Sequence, residues 1–319
     1  MTNVVGAGSG PPLDVACLGI LVADVVVRHV DSVPDEGSLA VVDAIELHGG
    51  GCALNTASAL VRFGMRASVV GKVGVDAFGD ELVRLLDERG IDRSGVVRDP
   101  RAATSASVVI VTHAGERTFL HAPGADARLG VHDLDLDRLC RARCLHVAGT
   151  GVLEELDGAP LAGVLGDARR RGLVTSLDTA WDPTGRWERV EACLPHVDMA
   201  CPSLAEARAV SGEDEPARVA SWFRRRGPSW VALTMGEAGC YASGPGFEGQ
   251  VPTPDVDVVD TTGAGDAFAA GLVVGRLSGW SFDRAVRFAC AAGAEATTWV
   301  GASDGGRMEE RHLAVPALP

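Results

Sequence analysis

The sequence predicts an α/β protein with a central, mostly parallel sheet covered by helices on both faces and a smaller sheet set apart from it. Two observations lead there. From residue 144 onward, short apolar runs alternate with amphipathic helical patterns, as buried parallel strands joined by crossover helices require. Two stretches near 24–48 and 101–122 instead read as strands with no crossover helix, so a separate small sheet is expected.

Residues 1–13 are rich in Gly and Pro and carry no Lys or Arg; they read as a disordered tail before one folded domain, 14–319. Residues 15–22 form a near-continuous apolar run, a buried strand, and 39–47 a partly alternating one. After Gly49, Gly50 and Gly51, a helical pattern opens at Asn55 and repeats through Ala57, Leu60, Val61 and Phe63 to Gly64. Residues 67–73 are a buried strand. Residues 78–88 are an amphipathic helix with Leu82, Leu85 and Leu86 on one face. Residues 104–112 and 117–121 read as a β-hairpin turning at 113–116. Further strands are expected at 144–148, 173–178, 197–201 and 230–234. Helices are expected at 161–171, 187–194, 204–211, 217–226, 265–277 and 282–298.

The chain has 29 Lys and Arg against 43 Asp and Glu, a net charge of −14. Such a chain repels nucleic acid and anionic membranes, so neither is an expected partner. The triplets Arg169-Arg170-Arg171 and Arg224-Arg225-Arg226 each end a helical pattern before Gly172 or Gly227, the signature of a cationic helix C-terminus with a Gly cap. The eight cysteines form no CxxC pair and fall mostly in apolar runs. The apolar run 15–27 is too short to span a bilayer and contains Asp24. With no signal-peptide pattern at the start, a cytoplasmic location is expected.

Chemistry concentrates in Asp260-Thr-Thr-Gly-Ala-Gly-Asp266, which leads directly into a helix. Free N–H groups and the helix dipole make such a start an anion site. Gly263 and Gly265 let the backbone approach a phosphate, and Ala264 lies between them. Asp266 then reads as a general base beside an anion hole. An acid in a first helical turn also simply favours the helix dipole, and the helix start alone does not choose between these readings.

Three segments in order resolve the choice. Asp260–Asp266 resembles the C-terminal signature of the ribokinase-like, or PfkB, carbohydrate kinases. Gly49-Gly-Gly-Cys-Ala-Leu-Asn55, followed by Gly64 and by Gly71-Lys-Val-Gly-Val-Asp-Ala-Phe-Gly79, resembles the N-terminal one. Gly19-Ile-Leu-Val-Ala-Asp24 resembles the family's opening strand. The resemblance spans about residues 14–303. It implies a three-layer sandwich with a β-sheet lid formed by the two extra segments, and an ATP-dependent kinase acting on a hydroxyl, primary by expectation, of a sugar or sugar derivative.

Position by position, the resemblance implies that Asp24, Gly50, Gly51 and Asn55 bind the sugar, and that Asp266 acts with an anion hole at Gly263, Ala264 and Gly265. Thr234, Gly236 and Gly239 are the implied nucleotide turn. The family's Asn-x-x-Glu appears as Ser203 and Glu206, with Glu206 implied to hold Mg2+ through water. Carbonyls at Asp260 and Gly301 are the implied site of K+. Arg117 is a candidate contact to an anionic substrate group, Asp178 a candidate phosphate-site residue, and a homodimer through the lid is expected. Val22 and Gly149 stand where ribokinase carries Asn and Glu, which argues against ribose itself. The rivals are a nucleoside kinase of the same fold, a non-catalytic sugar-binding regulator, and a dehydrogenase. The one dinucleotide-like run, Gly244 to Gly249, contains Pro245 and precedes no helical pattern, so a surface hairpin is expected there. No Walker motif is present, since Val73 follows Gly71-Lys72.

Overall fold

The computed structural model describes residues 13–114 and 116–302. The expected tail thus lies, except for Leu13, outside the described residues, as does Gly115 of the hairpin turn.

Among the described residues a nine-stranded sheet runs in the order β13-β12-β11-β10-β9-β8-β1-β4-β5. Its strands are β1 (Val15–Gly19), β4 (Ala67–Gly74), β5 (Asp92–Asp99), β8 (Cys144–Thr150), β9 (Val174–Thr179), β10 (Met199–Ala200), β11 (Trp230–Thr234), β12 (Cys240–Gly244) and β13 (Phe247–Val251). Pairing is parallel from β5 to β11, and the β12–β13 hairpin closes one edge antiparallel. Side chains alternate across this sheet, which gives two cores. Val15 and Cys17 join α1 (Cys52–Arg62), α2 (Ala77–Glu88), α8 (Ala264–Leu277) and α9 (Phe282–Ala296) on one face. Ala16 and Leu18 join α3 (Leu136–Leu139), α4 (Ala159–Arg170), α5 (Glu188–Glu191), α6 (Leu204–Ser211) and α7 (Pro216–Arg224) on the other.

The second sheet has the order β3-β2-β6-β7, with β2 (Val22–Arg28), β3 (Ala44–Gly50), β6 (Ala106–Val111) and β7 (Arg117–Ala122). Its register sorts the side chains into two faces. Asp24, His48, Ser107 and His121 align on one, together with Arg117 and Phe119; Val25, Leu47, Val108 and Leu120 align on the other. At the crossover between sheets the Leu21 N–H donates to the buried Asp126 carboxyl at 3.1 Å, and Ser105 Oγ accepts the Gly124 N–H at 3.0 Å.

The strand at 230–234 and the helix at 204–211 form with the expected boundaries. Three expectations are corrected, and one strand, β5, was not expected at all. The run 15–22 breaks at Ile20 into strands of different sheets, because both halves are apolar and only tertiary pairing separates them. The strand at 39–47 shifts to Ala44–Gly50, since it pairs residue for residue with β2, whose length sets its limits. The charged edge strand Asp92–Asp99 has an exposed side and so no continuous apolar signal. The helix at 187–194 shrinks to Glu188–Glu191, and Pro195, which lacks an N–H, sits in a separate 3₁₀ turn. Among the described residues no helix is long and apolar enough to cross a membrane.

Candidate active site

The site forms where α8 begins. Gly263 caps the helix with φ 77°, and a Cβ there would lie 2.5 Å from Cβ of Ala302. At Gly265 a Cβ would meet no atom within 4 Å, so the helix start faces open space. Asp266, in the first turn, is only 8% exposed. Asn55 Nδ2 donates to its Oδ2 at 2.8 Å, and the Cys52 thiol faces the same carboxylate. Residues 52 and 55 are one turn apart on α1, so one helix face supplies both contacts. Helix α1 starts at Cys52 with Gly51 as its cap, so Asn55 lies inside the helix and does not open it. Asn55 Oδ1 is buried with no hydrogen-bond partner, an acceptor left for a donor from outside the protein.

Burial pushes the Asp266 carboxyl up to about 6, with the Glu206 charge adding to the rise and Asn55 and Cys52 opposing it. Asp178, at the end of β9, is held well above its ordinary value by burial and by Asp266 and Glu206. Glu206 is also a capping-box acid: its Oε2 accepts the Ser203 N–H at 3.1 Å, and Ser203 Oγ accepts the Glu206 N–H at 3.2 Å. Thr179 Oγ1 donates to the same Oε2 at 2.7 Å, which fixes the carboxylate beside β9.

A cleft of about 830 Å³ opens next to the helix start, lined by Thr234, Gly236, Gly239, Gly265, Phe268 and Cys290. All three residues of the expected nucleotide turn therefore meet the α8 N-terminus at one cavity. Ser203 is not part of that lining; it bridges to Thr234 by backbone pairing.

On the other side, Asp24 belongs to the polar face of the small sheet. Burial raises its carboxyl to about 6 against the opposing pull of Ser107, His48 and Arg117. A Cβ on Gly50 would fall 2.0 Å from Asp24 Oδ2, and one on Gly51 2.5 Å from the Ile20 carbonyl. Backbone atoms and a φ of 89° thus demand glycine at position 51, whereas a side chain at position 50 would have to displace the Asp24 carboxylate. Arg117, expected on a hairpin, is largely buried and ion-paired with Asp260. Asp260 also accepts the Thr262 N–H at 2.7 Å and the Gly301 N–H at 2.9 Å. Burial would raise its carboxyl, but these donors and Arg117 hold it below its ordinary value.

The family model described as pfkB family carbohydrate kinase matches residues 13–308. The chain belongs to the pfkB family of carbohydrate kinases. It is an ATP-dependent sugar kinase, a phosphotransferase with an alcohol group as acceptor. Fructokinase-2 of Zea mays is 30% identical over 310 residues, covering 91% of this chain and 88% of the relative. A putative ribokinase from Agrobacterium tumefaciens superposes with a TM-score of 0.79 at 27% identity, covering 94% and 96% of the two chains. The putative ribokinase II of E. coli solved with ATP and Mg2+ shares the fold, with a TM-score of 0.79 at 22% identity over 92% and 95% of the chains.

One residue of the candidate site escaped the sequence reading, and so did one that ties the two sheets together. Cys52 carried a legible signal, its one-turn spacing from Asn55. Asp126 carried none, because its partners Leu21 and Ser105 are far away in sequence. Gly149 lies within β8, where a Cβ would meet Ile20 at 3.2 Å and the Cys52 sulfur at 3.5 Å, so the wall there is apolar.

Proposed function

We propose that this kinase transfers the γ-phosphoryl group of Mg-ATP to a primary hydroxyl of a ketohexose-like sugar, with Asp266 as the general base. The observation that carries this reading is the buried Asp266 carboxylate in the open first turn of α8, held at 2.8 Å by Asn55. A carboxyl poised near 6 is ionised at neutral pH yet basic enough to take a proton. Asp24 accepts hydrogen bonds from sugar hydroxyls, and the unpartnered Asn55 Oδ1 accepts another. Asp266 takes the proton of the attacking hydroxyl as the new O–P bond forms and the bond from the γ-phosphorus to the bridging oxygen breaks. N–H groups of residues 263–265 receive the charge on the transferred group.

The ATP cleft is bounded by Thr234, Gly236 and Gly239. Glu206 is the residue that would hold Mg2+ through water, and the ion when bound would neutralise phosphate charge. K+ is assigned to backbone carbonyls at Asp260 and Gly301, segments joined by the Gly301 N–H. The small sheet acts as a lid that shields the reaction from water, its Arg117 placed to meet an anionic group or a hydroxyl of the substrate. Its outer face, with Ile45 68% and Leu120 61% exposed, supports a homodimer through the lid, to be checked by mass in solution.

The preference for a ketohexose rests on Val22 and Gly149, which offer no polar group where ribokinase has two, and on the name of the maize relative. ADP release would be measured with Mg-ATP and a panel of ketoses, aldoses, sugar acids and nucleosides. Fructose is expected to give the highest kcat/KM. A nucleoside turned over tenfold better would overturn the substrate reading.

A further inference from the structure

A cluster of imidazoles and carboxylates stands at the tip of the small sheet, remote from Asp24. β2 runs from the crossover to this tip, β3 starts from it and β6 ends at it. His29 therefore follows β2, Asp43 precedes β3, and His113 lies in the turn after β6. The backbone holds the three segments side by side: the Asp43 N–H donates to the Arg28 carbonyl at 2.6 Å and the Val30 N–H to the Val111 carbonyl at 2.9 Å. One ligand atom from each of His29, Asp43 and His113 lies within 4.8 Å of the others. The two imidazoles stack with centroids 4.8 Å apart and planes 27° apart. His29 Nδ1 is 2.8 Å from Asp43 Oδ2, and His113 Nδ1 is 2.8 Å from Asp31 Oδ2. Asp31 Oδ1 also accepts the His113 backbone N–H at 3.0 Å.

We propose that His29, Asp43 and His113 bind a divalent transition-metal ion, Zn2+ by their ligand chemistry, with Asp31 as the carboxylate that positions His113. Ligands about 2.0–2.1 Å from a tetrahedral zinc lie roughly 3.3 Å from one another. The present spacing needs only a small inward movement of exposed side chains. Two imidazoles with a carboxylate favour Zn2+ over Mg2+ or Ca2+, which prefer sets made wholly of oxygen. A carboxylate on the second nitrogen of a ligating imidazole fixes its tautomer and orientation, as Asp31 does for His113. The side chains of His113 and Asp43 are 66% and 70% exposed, so water fills the remaining position. The ion sits at the neck of the loop 30–42, with one ligand at each end, and ties that loop to the β6–β7 turn. It thereby braces the sheet that carries Arg117 beside this tip and Asp24 toward its other end.

The test uses the full chain, stripped with EDTA, dialysed, and supplied with excess Mg2+ to occupy sites for hard cations. Zn2+ is titrated by calorimetry, bound zinc is counted by elemental analysis, and Co2+ replaces it for absorption spectra. One equivalent per chain is expected, with a tetrahedral Co2+ spectrum free of thiolate charge transfer. His29→Ala and His113→Ala should each weaken binding at least about tenfold, and Asp31→Asn by about tenfold. Circular dichroism confirms that each variant is folded. Absence of binding by the parent chain, binding unchanged in both histidine variants, or a thiolate band would each overturn the assignment.

Discussion

Replacing Asp266 with Asn separates its catalytic role from its structural cost. Asparagine keeps the size of the side chain and can turn its carbonyl toward Asn55 Nδ2, so the 2.8 Å contact survives. The base is lost, and removal of a positioned general base lowers turnover by about 10²–10⁴-fold. The effect on stability has the opposite sign. Folding raises the carboxyl from 3.8 to about 6, so the native state binds the proton more tightly than the unfolded chain does. The resulting penalty is absent below pH 3.8, grows as pH rises and is complete above about 6. That rise corresponds to about 3 kcal/mol at most. Asp266→Asn should therefore melt higher than the parent at pH 8, and the difference should vanish only once the pH falls below 3.8. Thermal melts across pH and steady-state ADP release measure the two effects. A variant whose kcat stays within tenfold of the parent would falsify the assignment of Asp266 as base. A melting point that does not rise at pH 8 would refute the claim that burial sets its pKa.

Four other substitutions follow from the same geometry. Asp24→Ala removes a buried acceptor worth about 1.5–3 kcal/mol to a bound hydroxyl, so KM for the sugar should rise about 10–100-fold while KM for ATP holds; steady-state kinetics on both substrates checks this. Gly263→Ala, at φ 77° and 2.5 Å from Ala302, should destabilise the fold by about 1–2 kcal/mol or more. Gly265→Ala has room and should melt like the parent yet lose activity by crowding the phosphate; equal melting points for the two would contradict the packing argument. Ser203→Ala removes half of a capping box and should cost about 0.5–2 kcal/mol in urea denaturation, with the Mg2+ concentration for half-maximal rate unchanged. A shift in that concentration would give Ser203 a place in metal binding.

Where the sequence reads well, the residues act locally. The strand Trp230–Thr234 and the helix Leu204–Ser211 have their signals inside their own limits, an apolar run and a Ser-x-x-Glu cap. The start of α8 was legible for the same reason, since Gly, Gly and Asp at a helix entrance describe an anion site without any partner. The break at Ile20 and the limits of β3 were not legible. Both depend on which strand lies alongside, and the apolar run 15–22 is compatible with one strand or two. Arg117 shows the same limit: its hairpin could be read, but Asp260, its partner, is far along the chain.

By itself the sequence determined the α/β class and the ordered glycine and aspartate signatures, and it pointed to Asp266 as the proposed base. Those features are set by backbone conformation and by residues within a turn of one another. Only the tertiary structure decided that Asn55 and Cys52 hold Asp266, and that glycine at position 50 answers to Asp24. It also decided that Glu206 serves α6 as well as the site, and that Arg117 closes on Asp260. Each of these joins residues from separate elements, and burial of charge, which raises Asp24 and Asp266 to about 6, exists only once those elements have packed together.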